Sequence, residues 1–514
     1  MFLFAAAAAF ATMLCSRLSM QYYQLESYQF GGYYRTHKRN FLRAFAPGFC
    51  AAGAGVAASF LGFWAAYAAQ LAVALAAYFL QRRVKAKKPL VITARVKRLI
   101  GFLAAVCLAL SCALMFGTRA LALPLLLPAL APVWLALAAL LALPLEKLIQ
   151  RLYMRDARKR LKARPDLIRI GITGSYGKTS TKFMLAAILS EKYRVLATPG
   201  SFNTSMGVTR IIRERLMPDH QVFIAEMGAR HMGDIRLLCK LVRPRYGLLT
   251  SVGPQHLETF RSQENICREK FELARAIPKD GAMVFAADGG LCEALYHKCE
   301  APKHLSGERH EGLGLYAKNI EVGPWGSSFL LCDGETETPC RTRILGAHNI
   351  SNLLLACTMA RALGMDMQTI ARGASKAQPV EHRLQLLASP GGATVIDDAF
   401  NANPVGADAA LDVLRSFSGG RKIIVTPGFV EMGAREAECN RTFGEHIADA
   451  ADIVLLVGRR HTAPIAEGLR AKGFAEENLH IVASLDESTR LLGGILRAGD
   501  VVLYENDLPD NYQE

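Results

Sequence analysis

A glycine-rich run between an apolar segment and a helical pattern is the part of this chain best suited to chemistry. It reads Gly171-Ile-Thr-Gly-Ser-Tyr-Gly-Lys-Thr-Ser-Thr181. Glycines let the backbone approach an anion, and the amides at a helix N-terminus favour phosphate. The run therefore predicts a polyphosphate site, with Lys178 near the β/γ-phosphates and the Thr179 hydroxyl offered to Mg²⁺. Gly171 stands one residue too early for the commonest spacing, so a chance glycine loop is the alternative.

Three further side chains follow the run at positions where a ligand site is expected. Glu226 ends an apolar strand, and His256 follows the next strand in the same way, so both should point into the crevice at the carboxyl ends of the strands. Lys270 lies in a helical pattern. Taken one at a time, they are better interpreted as a helix cap, a loop residue and a surface lysine. Their order behind the glycine run favours one shared site.

The elements that must position these residues alternate between strands and helices after residue 165. Strands are predicted at 167–172, 222–227, 246–252 and 282–287, and a small β elaboration near 303–345 precedes a helix that begins near His348. The alternation restarts with predicted strands at 393–398, 422–426, 452–457 and 500–504. The predicted fold is α/β: a central phosphate-loop ATPase domain with a mostly parallel sheet, then a C-terminal Rossmann-like domain.

The first 165 residues differ from the rest in charge. They hold 22 Lys+Arg and 3 Asp+Glu, whereas the remainder holds 39 and 42. Basic loops beside apolar segments are typical of membrane orientation and of contact with anionic lipid, so nucleic-acid binding is disfavoured. The 12 cysteines include no pair or cluster with metal-ligand spacing. They indicate buried residues in a reducing compartment.

Three apolar stretches predict membrane-spanning helices at 50–80, 99–117 and 120–145, because each is near the ~20 residues needed to cross a bilayer. Residues 1–15 are shorter, and either a span or a signal peptide fits them. The predicted domains are a membrane module of about four helices (1–150), a basic juxtamembrane linker (151–165), an ATP-binding domain (166–378) and a C-terminal domain (379–514). The basic residues before the glycine run place the catalytic part in the cytosol. The basic tract 35–43 does not fit a four-span count, which leaves open whether 50–80 is a simple crossing.

Several short tracts together carry a family resemblance. They are GITGSYGKTST at 171–181, GSFNTSMG at 200–207, EMGA at 226–229, HLETF at 256–260, HNISN at 348–352, EHR at 381–383 and DDAFNANP at 397–404. The chain resembles the Mur ligases over nearly all of 165–505, most of all the branch that adds D-alanyl-D-alanine. These ligases use ATP to phosphorylate a substrate carboxylate, and an amine then attacks the acyl phosphate to give an amide, ADP and phosphate.

The resemblance also implies roles for individual residues. Lys178, Glu226, His256 and Lys270 match catalytic positions, and Lys270 matches a lysine that is carbamylated. Two Mg²⁺ ions would be held through Thr179, Glu226, His256 and Lys270. The implied ATP contacts are Gly174, Ser175, Gly177, Lys178, Thr179, Ser180, Asn349, Arg383 and Asp398. Substrate contacts are implied for Asn203, Thr204, Asn401 and Asn403. For Asn349 and Asn352, helix capping is the alternative.

Three departures from the family bear on substrates. Membrane spans stand where the family has a small UDP-binding domain, so the acceptor is expected to be UDP-linked or lipid-linked and presented at the membrane. Ala286-Ala-Asp-Gly289 replaces the family's Asn-x-Asp-Asp tract near adenine. Glu505-Asn506-Asp507 replaces Lys-Gly-Ser, which puts carboxylates where the incoming amine enters.

The resulting hypothesis is an ADP-forming peptide ligase of cell-wall precursor synthesis, with several membrane spans in the bacterial cytoplasmic membrane. Its expected partners are the precursor, an amino acid or dipeptide donor and membrane lipid. A Mur-like capsule or poly-γ-glutamate synthetase is the alternative within the fold, and Tyr176 disfavours it because those loops usually carry arginine there. A non-catalytic nucleotide-binding scaffold is the alternative from another class.

Overall fold

The computed structural model describes residues 1–83, 88–117, 120–253, 257–308, 313–323, 325–388, 391–400, 403–430 and 432–507. These residues divide after Leu152 into two compact units. The first unit is helical, and the second contains two mixed β-sheets flanked by helices.

The helices of the first unit begin with α1 (Phe2–Cys15), α2 (Arg17–Leu25), α3 (Phe30–Arg39) and α4 (Phe41–Ala58). They continue with α5 (Phe63–Arg83), α6 (Ala94–Gly117) and α7 (Ala131–Lys162), the last of which extends past the boundary between the units. Within the described residues, four segments are long and apolar enough to cross a membrane: Phe41–Leu61, Phe63–Arg83, Ala94–Gly117 and Leu123–Lys162. The pair α1 and α2, bent by 44°, would add a fifth if it counts as one span.

The prediction of a single span over 50–80 is wrong. The chain breaks between α4 and α5, where Gly62 has a φ of +105°. Few residues other than glycine adopt this backbone region, so the apolar run becomes two helices instead of one. The predicted stretch 99–117 lies within Ala94–Gly117, and the predicted stretch 120–145 overlaps the first part of Leu123–Lys162.

The strands of the second unit are β1 (Ile168–Thr173), β2 (Val195–Ala197), β3 (Val222–Glu226), β4 (Tyr246–Leu249), β5 (Ala282–Ala286), β6 (Lys303–Gly307), β7 (Leu315–Gly323), β8 (Gly326–Cys332), β9 (Glu337–Thr342), β10 (Gln385–Ala388), β11 (Thr394–Asp398), β12 (Lys422–Thr426), β13 (Ile453–Val457), β14 (Leu479–Val482) and β15 (Val501–Glu505). Its helices are α8 (Lys178–Leu189), α9 (Ser205–Arg215), α10 (Asp234–Val242), α11 (Leu257–Phe260), α12 (Gln263–Ala276), α13 (Leu291–Lys298), α14 (Ala347–Ala362), α15 (Met367–Lys376), α16 (Pro404–Ser416), α17 (Glu436–Ala448), α18 (Ala463–Ala471) and α19 (Leu485–Ile495).

The first sheet has the order β2-β3-β1-β4-β5-β6-β7-β8-β9. Its strands pair in parallel from β2 to β7, and the last three pair antiparallel, which confirms the small β elaboration. Successive residues of β3 enter different cores: Val222 and Ile224 pack in the layer of α8 and α14, and Phe223 and Ala225 in the layer of α10 and α12. This two-sided burial explains the continuous apolar strands. The predicted strand 246–252 is shorter than expected and ends at Leu249.

The second sheet has the order β10-β11-β15-β12-β13-β14, with β10 antiparallel and the other strands parallel. Its four predicted strands correspond to β11, β12, β13 and β15. Asp398, the last residue of β11, is in register with Glu505, the last residue of β15. Two side chains from different parts of the sequence therefore lie together at the carboxyl edge of this sheet, where parallel sheets bind ligands.

Candidate active site at the carboxyl edge of the first sheet

The glycine loop (residues 174–177) connects β1 to α8, and two of its glycines are required by their surroundings. Gly174 has a φ of +153° and Gly177 a φ of +78°. A Cβ on Gly174 would lie 2.1 Å from Thr250 Oγ1, and one on Gly177 would lie 2.3 Å from Asn352 Oδ1. Any larger residue would displace these neighbours, so the loop has room only for glycine at both positions.

The segment that follows β4 holds the glycine loop in place. The Ser175 amide donates to Ser251 O at 2.8 Å, and Ser175 Oγ donates to Gly253 O at 2.9 Å. The Tyr176 amide donates to Ser251 Oγ at 2.7 Å. These bonds fix the loop by protein contacts alone. They were not predicted, because nothing local in sequence marks Ser251 as a partner of Ser175.

Lys178 folds back over the loop from the first turn of α8. Its Nζ donates to Gly174 O at 2.7 Å and to Ser175 O at 2.8 Å. Desolvation lowers the pKa of Lys178 to about 8; Glu226 opposes this shift and Arg383 adds to it. Thr179 and Ser180, the next two residues, are buried. The lysine thus holds its ammonium group beside the loop.

Glu226 is the acidic centre of the site and is fully buried at the end of β3. Its Oε2 accepts from Thr179 Oγ1 at 3.0 Å and from Lys182 Nζ at 2.9 Å, and its Oε1 accepts from Asn203 Nδ2 at 3.0 Å. Burial raises the pKa of this carboxyl, but Lys182 and Lys178 outweigh burial and hold it below its ordinary value. Glu226 is therefore a carboxylate at neutral pH.

Lys182 is a site residue that the sequence analysis missed. It lies one turn after Lys178 on α8, its side chain is 0% exposed, and its Nζ also donates to Gly200 O. Burial lowers its pKa, and Glu226 opposes that shift. The four-residue spacing from Lys178 puts both lysines on one helix face, which is the signal that could have identified it.

Lys270 lies on α12 and is buried with its neighbour Glu269. Glu269 accepts from the amides of Gly233 and Ile235 at 2.6 and 2.7 Å, which fixes this part of α12 against the start of α10. The described residues offer Lys270 Nζ no hydrogen bond or ion pair. Burial, and then Lys178, lower the pKa of Lys270 to about 7, against the opposing effects of Glu269 and Asp234.

The residues before and after β10 and β11 bring further groups to the site. Arg383 is half-buried, and its guanidinium lies 5.0 Å from the centre of the Phe400 ring. Burial lowers the pKa of Arg383 below its ordinary value, although Asp398 and Glu226 oppose this shift. Asp398 Oδ1 accepts from the Leu384 amide at 3.1 Å. The residues on either side of Arg383 have positive φ, +59° at His382 and +45° at Leu384. The connection that carries Arg383 is thus held in an uncommon backbone conformation.

One of the two asparagines of α14 supports the glycine loop. Asn352 packs against Gly177 and accepts from Thr181 Oγ1 at 3.2 Å, while Asn349 Nδ2 donates to Leu345 O at 2.9 Å. Helix capping, the alternative for both, is wrong, because the N-cap residue is Gly346 and no side chain caps the helix.

Other predicted site residues have defined local roles or lie outside the described part. Thr204 caps α9 by accepting from the Gly207 amide, and Asn403 caps α16 by accepting from the Gly406 amide, both at 3.1 Å. The predictions for His256 and Asn401 fall outside the described residues. No group of three His, Cys, Asp or Glu side chains suited to a metal occurs in the ranges that the structure describes.

The balance of charge limits what this site can bind. Three cationic side chains interact electrostatically with the buried carboxylate of Glu226: Lys178, Lys182 and Arg383. Lys270 interacts with Lys178, and Glu269 and Asp234 offset its charge. Water is largely excluded, so this excess of positive charge favours a polyanion. Thr179 and Glu226 add the oxygen donors that Mg²⁺ prefers. The arrangement fits a magnesium-bound polyphosphate.

Comparison with known proteins identifies the family. Residues 172–360 match the Mur ligase middle domain, and residues 382–504 match the Mur ligase glutamate ligase domain. The UDP-N-acetylmuramoyl-tripeptide–D-alanyl-D-alanine ligase of Mycobacterium tuberculosis is 33% identical over 356 residues, which cover 65% of this chain and 69% of that protein. The chain belongs to the Mur ligase family.

Solved structures of Mur ligases have the same fold. MurF from Acinetobacter baumannii aligns with a TM-score of 0.63 at 26% identity, over 71% of this chain and 78% of that one. The MurF ligase from Thermotoga maritima in complex with ADP aligns with a TM-score of 0.62 at 23% identity, over 70% of this chain and 80% of that one. Like the rest of the family, the chain is an ATP-dependent, ADP-forming amide ligase of peptidoglycan precursor synthesis, and Mg²⁺ accompanies ATP.

Proposed function

We propose that this Mur ligase adds an amino acid or dipeptide, with D-alanyl-D-alanine as the first candidate, to a peptidoglycan precursor through an acyl phosphate. We further propose that the reaction takes place at the cytosolic face of the membrane. The observation that carries the proposal is a cluster of three cations, Lys178, Lys182 and Arg383, that act on the buried carboxylate of Glu226 beside the glycine loop. A carboxylate and a triphosphate repel each other, and this cluster would neutralise the repulsion.

Each side chain has a definite task in this proposal. Lys178 and Arg383 would bind the triphosphate, while Thr179 and Glu226, together with His256, would hold Mg²⁺. Bound Mg²⁺ supplies further charge neutralisation at the phosphates. An oxygen of the acceptor carboxylate attacks the γ-phosphorus and ADP leaves. The neutral amine of the donor then attacks the acyl carbon, phosphate leaves, and an amide is formed.

Lys270 is proposed to react with CO₂, which would turn a cation into an anionic ligand for a second Mg²⁺. CO₂ adds only to the neutral amine, and the amine loses a proton as the carbamate forms. The burial of Lys270, with no described residue bonded to Nζ, favours the neutral amine and supports this step. At pH 8 the neutral form predominates, since the pKa of Lys270 is lowered to about 7.

Replacing Lys270 tests this step. We expect Lys270→Ala to abolish amine-dependent ADP release while AMP-PNP binding, measured by calorimetry, is largely retained. In wild-type protein, a ¹³CO₂-derived carbamate signal in NMR should decline as the pH falls below about 7. The exposed Lys279 provides the control, Lys279→Ala. Unchanged turnover in Lys270→Ala would rule out the carbamate.

The apolar helices of the first unit provide evidence about the acceptor. The four long apolar segments precede the ligase domains in sequence, which supports an acceptor that is presented at the membrane and is linked to lipid instead of being a free nucleotide. Protein in vesicles, given ATP, D-alanyl-D-alanine and either soluble UDP-linked or lipid-linked tripeptide precursor, would distinguish the two by mass spectrometry of the products. A clear preference for the soluble precursor would refute the lipid-linked version.

A further inference from the structure

We infer that Lys182 is a positioning residue that couples two parts of the site: the carboxylate of Glu226 and the loop 199–204, which carries Asn203 and Thr204. The inference rests on the proposed function in one respect, because it takes the Mg²⁺–nucleotide complex to bind at Thr179 and Glu226. It assigns a role to a residue that no family motif described above includes.

The contacts of Lys182 define the coupling. Its Nζ donates to Glu226 Oε2 at 2.9 Å and to the backbone carbonyl of Gly200. One ammonium group therefore bonds at the same time to a side chain at the end of β3 and to the backbone of the loop. Since the lysine side chain is 0% exposed, no water competes for these bonds.

Asn203 makes a second connection between the same two parts. Its Nδ2 donates to Glu226 Oε1 at 3.0 Å, and its backbone carbonyl accepts from the Gly228 amide at 2.9 Å. A Cβ on Gly228 would lie 2.6 Å from Asn203 Cγ, so this side chain already packs closely on the backbone after β3. The loop thus touches Glu226 on one oxygen through its own asparagine and on the other through Lys182.

This arrangement makes the position of the loop depend on what Glu226 binds. Thr179 Oγ1 and Lys182 Nζ, both from α8, bond to the same oxygen of Glu226, Oε2. A Mg²⁺–nucleotide complex that engages this oxygen must alter the bonds of Lys182, and the Gly200 carbonyl shares the same ammonium group. Binding of the nucleotide complex at Glu226 then changes the stability of the loop 199–204, and the state of the loop changes the affinity for the nucleotide by the same factor.

Hydrogen–deuterium exchange on the full chain in lipid nanodiscs tests the inference, with AMP-PNP and Mg²⁺ as the probe. Calorimetry first establishes that the probe binds. In wild-type protein we expect the amides of residues 200–204 to change their exchange rate about five- to tenfold on binding. In Lys182→Met, which lacks the donor, the probe should still bind and the change should disappear.

Matched variants separate coupling from simple support of the fold. Lys192→Met, an exposed lysine just after α8, should behave as wild type. Lys182→Arg keeps the charge and several donors, and it should keep part of the response if Lys182→Met does not fold. If Lys182 only supports the fold, Lys182→Met should raise the exchange of the amides of residues 200–204 equally with and without AMP-PNP. If AMP-PNP does not bind to the wild-type protein, the proposed nucleotide site is wrong. If AMP-PNP binds and residues 200–204 do not respond in wild type, the coupling is wrong. The coupling is also wrong if these residues respond fully in Lys182→Met.

Discussion

Two buried glutamates occupy equivalent places in the two sheets of this ligase and differ in nearly everything else. Glu226 ends β3 of the first sheet, and Glu505 ends β15 of the second. Glu226 accepts three side-chain hydrogen bonds, one of them from a lysine. Glu505 has no lysine or arginine partner among the described residues, and its neighbour across the sheet is the acid Asp398, with which it forms a hydrogen bond when one of the two carboxyls is protonated.

The same residue type is consequently in opposite states of ionisation. Lys182 and Lys178 hold the pKa of Glu226 below its ordinary value despite burial. Burial and Asp398 raise the pKa of Glu505 well above its ordinary value, and burial raises that of Asp398 to about 6. The partners, and not the burial, decide whether a strand-end carboxyl carries charge. The first sheet offers a prepared anionic ligand, whereas the second holds a carboxyl pair that retains a proton.

The largest effect is expected from removing the charge of Glu226. Glu226→Gln leaves the buried Lys182 without its counter-ion, so we expect the free energy of unfolding at pH 7 to fall by about 3–5 kcal/mol. Because the pKa of Glu226 is lowered in the folded protein, this stability is present above the ordinary carboxyl pKa and is lost as the pH falls below it. Denaturant unfolding of the full chain at several pH values measures this difference in the free energy of unfolding.

A double variant tests whether the loss of stability in Glu226→Gln comes from the unpaired charge of Lys182. Lys182→Met together with Glu226→Gln removes both charges and should recover part of the lost stability, since no unpaired ion remains buried. Glu300→Gln, at an exposed position, is the control and should change little. A double variant as unstable as the sum of the two single ones would contradict the importance of this ion pair.

The same substitution at Glu505 should have the opposite sign. Its raised pKa means that the folded protein binds more protons than the unfolded chain above the ordinary carboxyl pKa, so wild-type stability decreases as the pH rises. Glu505→Gln replaces the buried carboxyl with a side chain that does not ionise, so its stability no longer decreases as the pH rises. We therefore expect the free energy of unfolding at pH 8 to be higher than that of wild type by about 1–3 kcal/mol. The gain should shrink towards pH 4, where the wild-type carboxyl is protonated in both states.

Thermal unfolding from pH 4 to pH 9 would measure this second effect. Glu477→Gln, an exposed site in the same domain, should show no comparable dependence on pH. A loss of stability in Glu505→Gln at pH 8 would mean that the carboxylate has a cationic partner after all, and the contrast between the two glutamates would disappear.

The sequence was sufficient for the parts of the molecule whose signals are local. The long apolar strands that carry Glu226 and Asp398 were predicted to within a few residues, because burial on both faces gives an unmistakable run. The short strands β2, β10 and β14 were missed, since three or four residues carry little pattern. The break at Gly62 was hidden because both helices beside it are apolar.

The interior of the site was less predictable than its motifs. Lys182 and Glu226 are separated by 44 positions, and Ser175 and Gly253 by 78. The four-residue spacing from Lys178 places Lys182 on the same helix face, but it does not show that Glu226 is its partner. Only the packing of α8 on β3 reveals the ion pair. The motifs identified the residues that resemble a known family, but not the partners that give those residues their charge.

The smallest effect is expected from a neutral partner of Glu226. The fully buried Thr198 accepts a hydrogen bond from the Glu226 amide through its Oγ1, at 3.2 Å. Thr198→Val keeps the shape and removes this acceptor, so we expect the free energy of unfolding to fall by about 1 kcal/mol. Because no charge changes, the loss should be the same at pH 5 and pH 8, unlike the effects at Glu226 and Glu505, and Thr198→Ser should restore it. A loss that varied with pH would mean that Thr198 alters the ionisation of Glu226, and the carboxylate would then depend on its neutral contacts as well as on its two lysines.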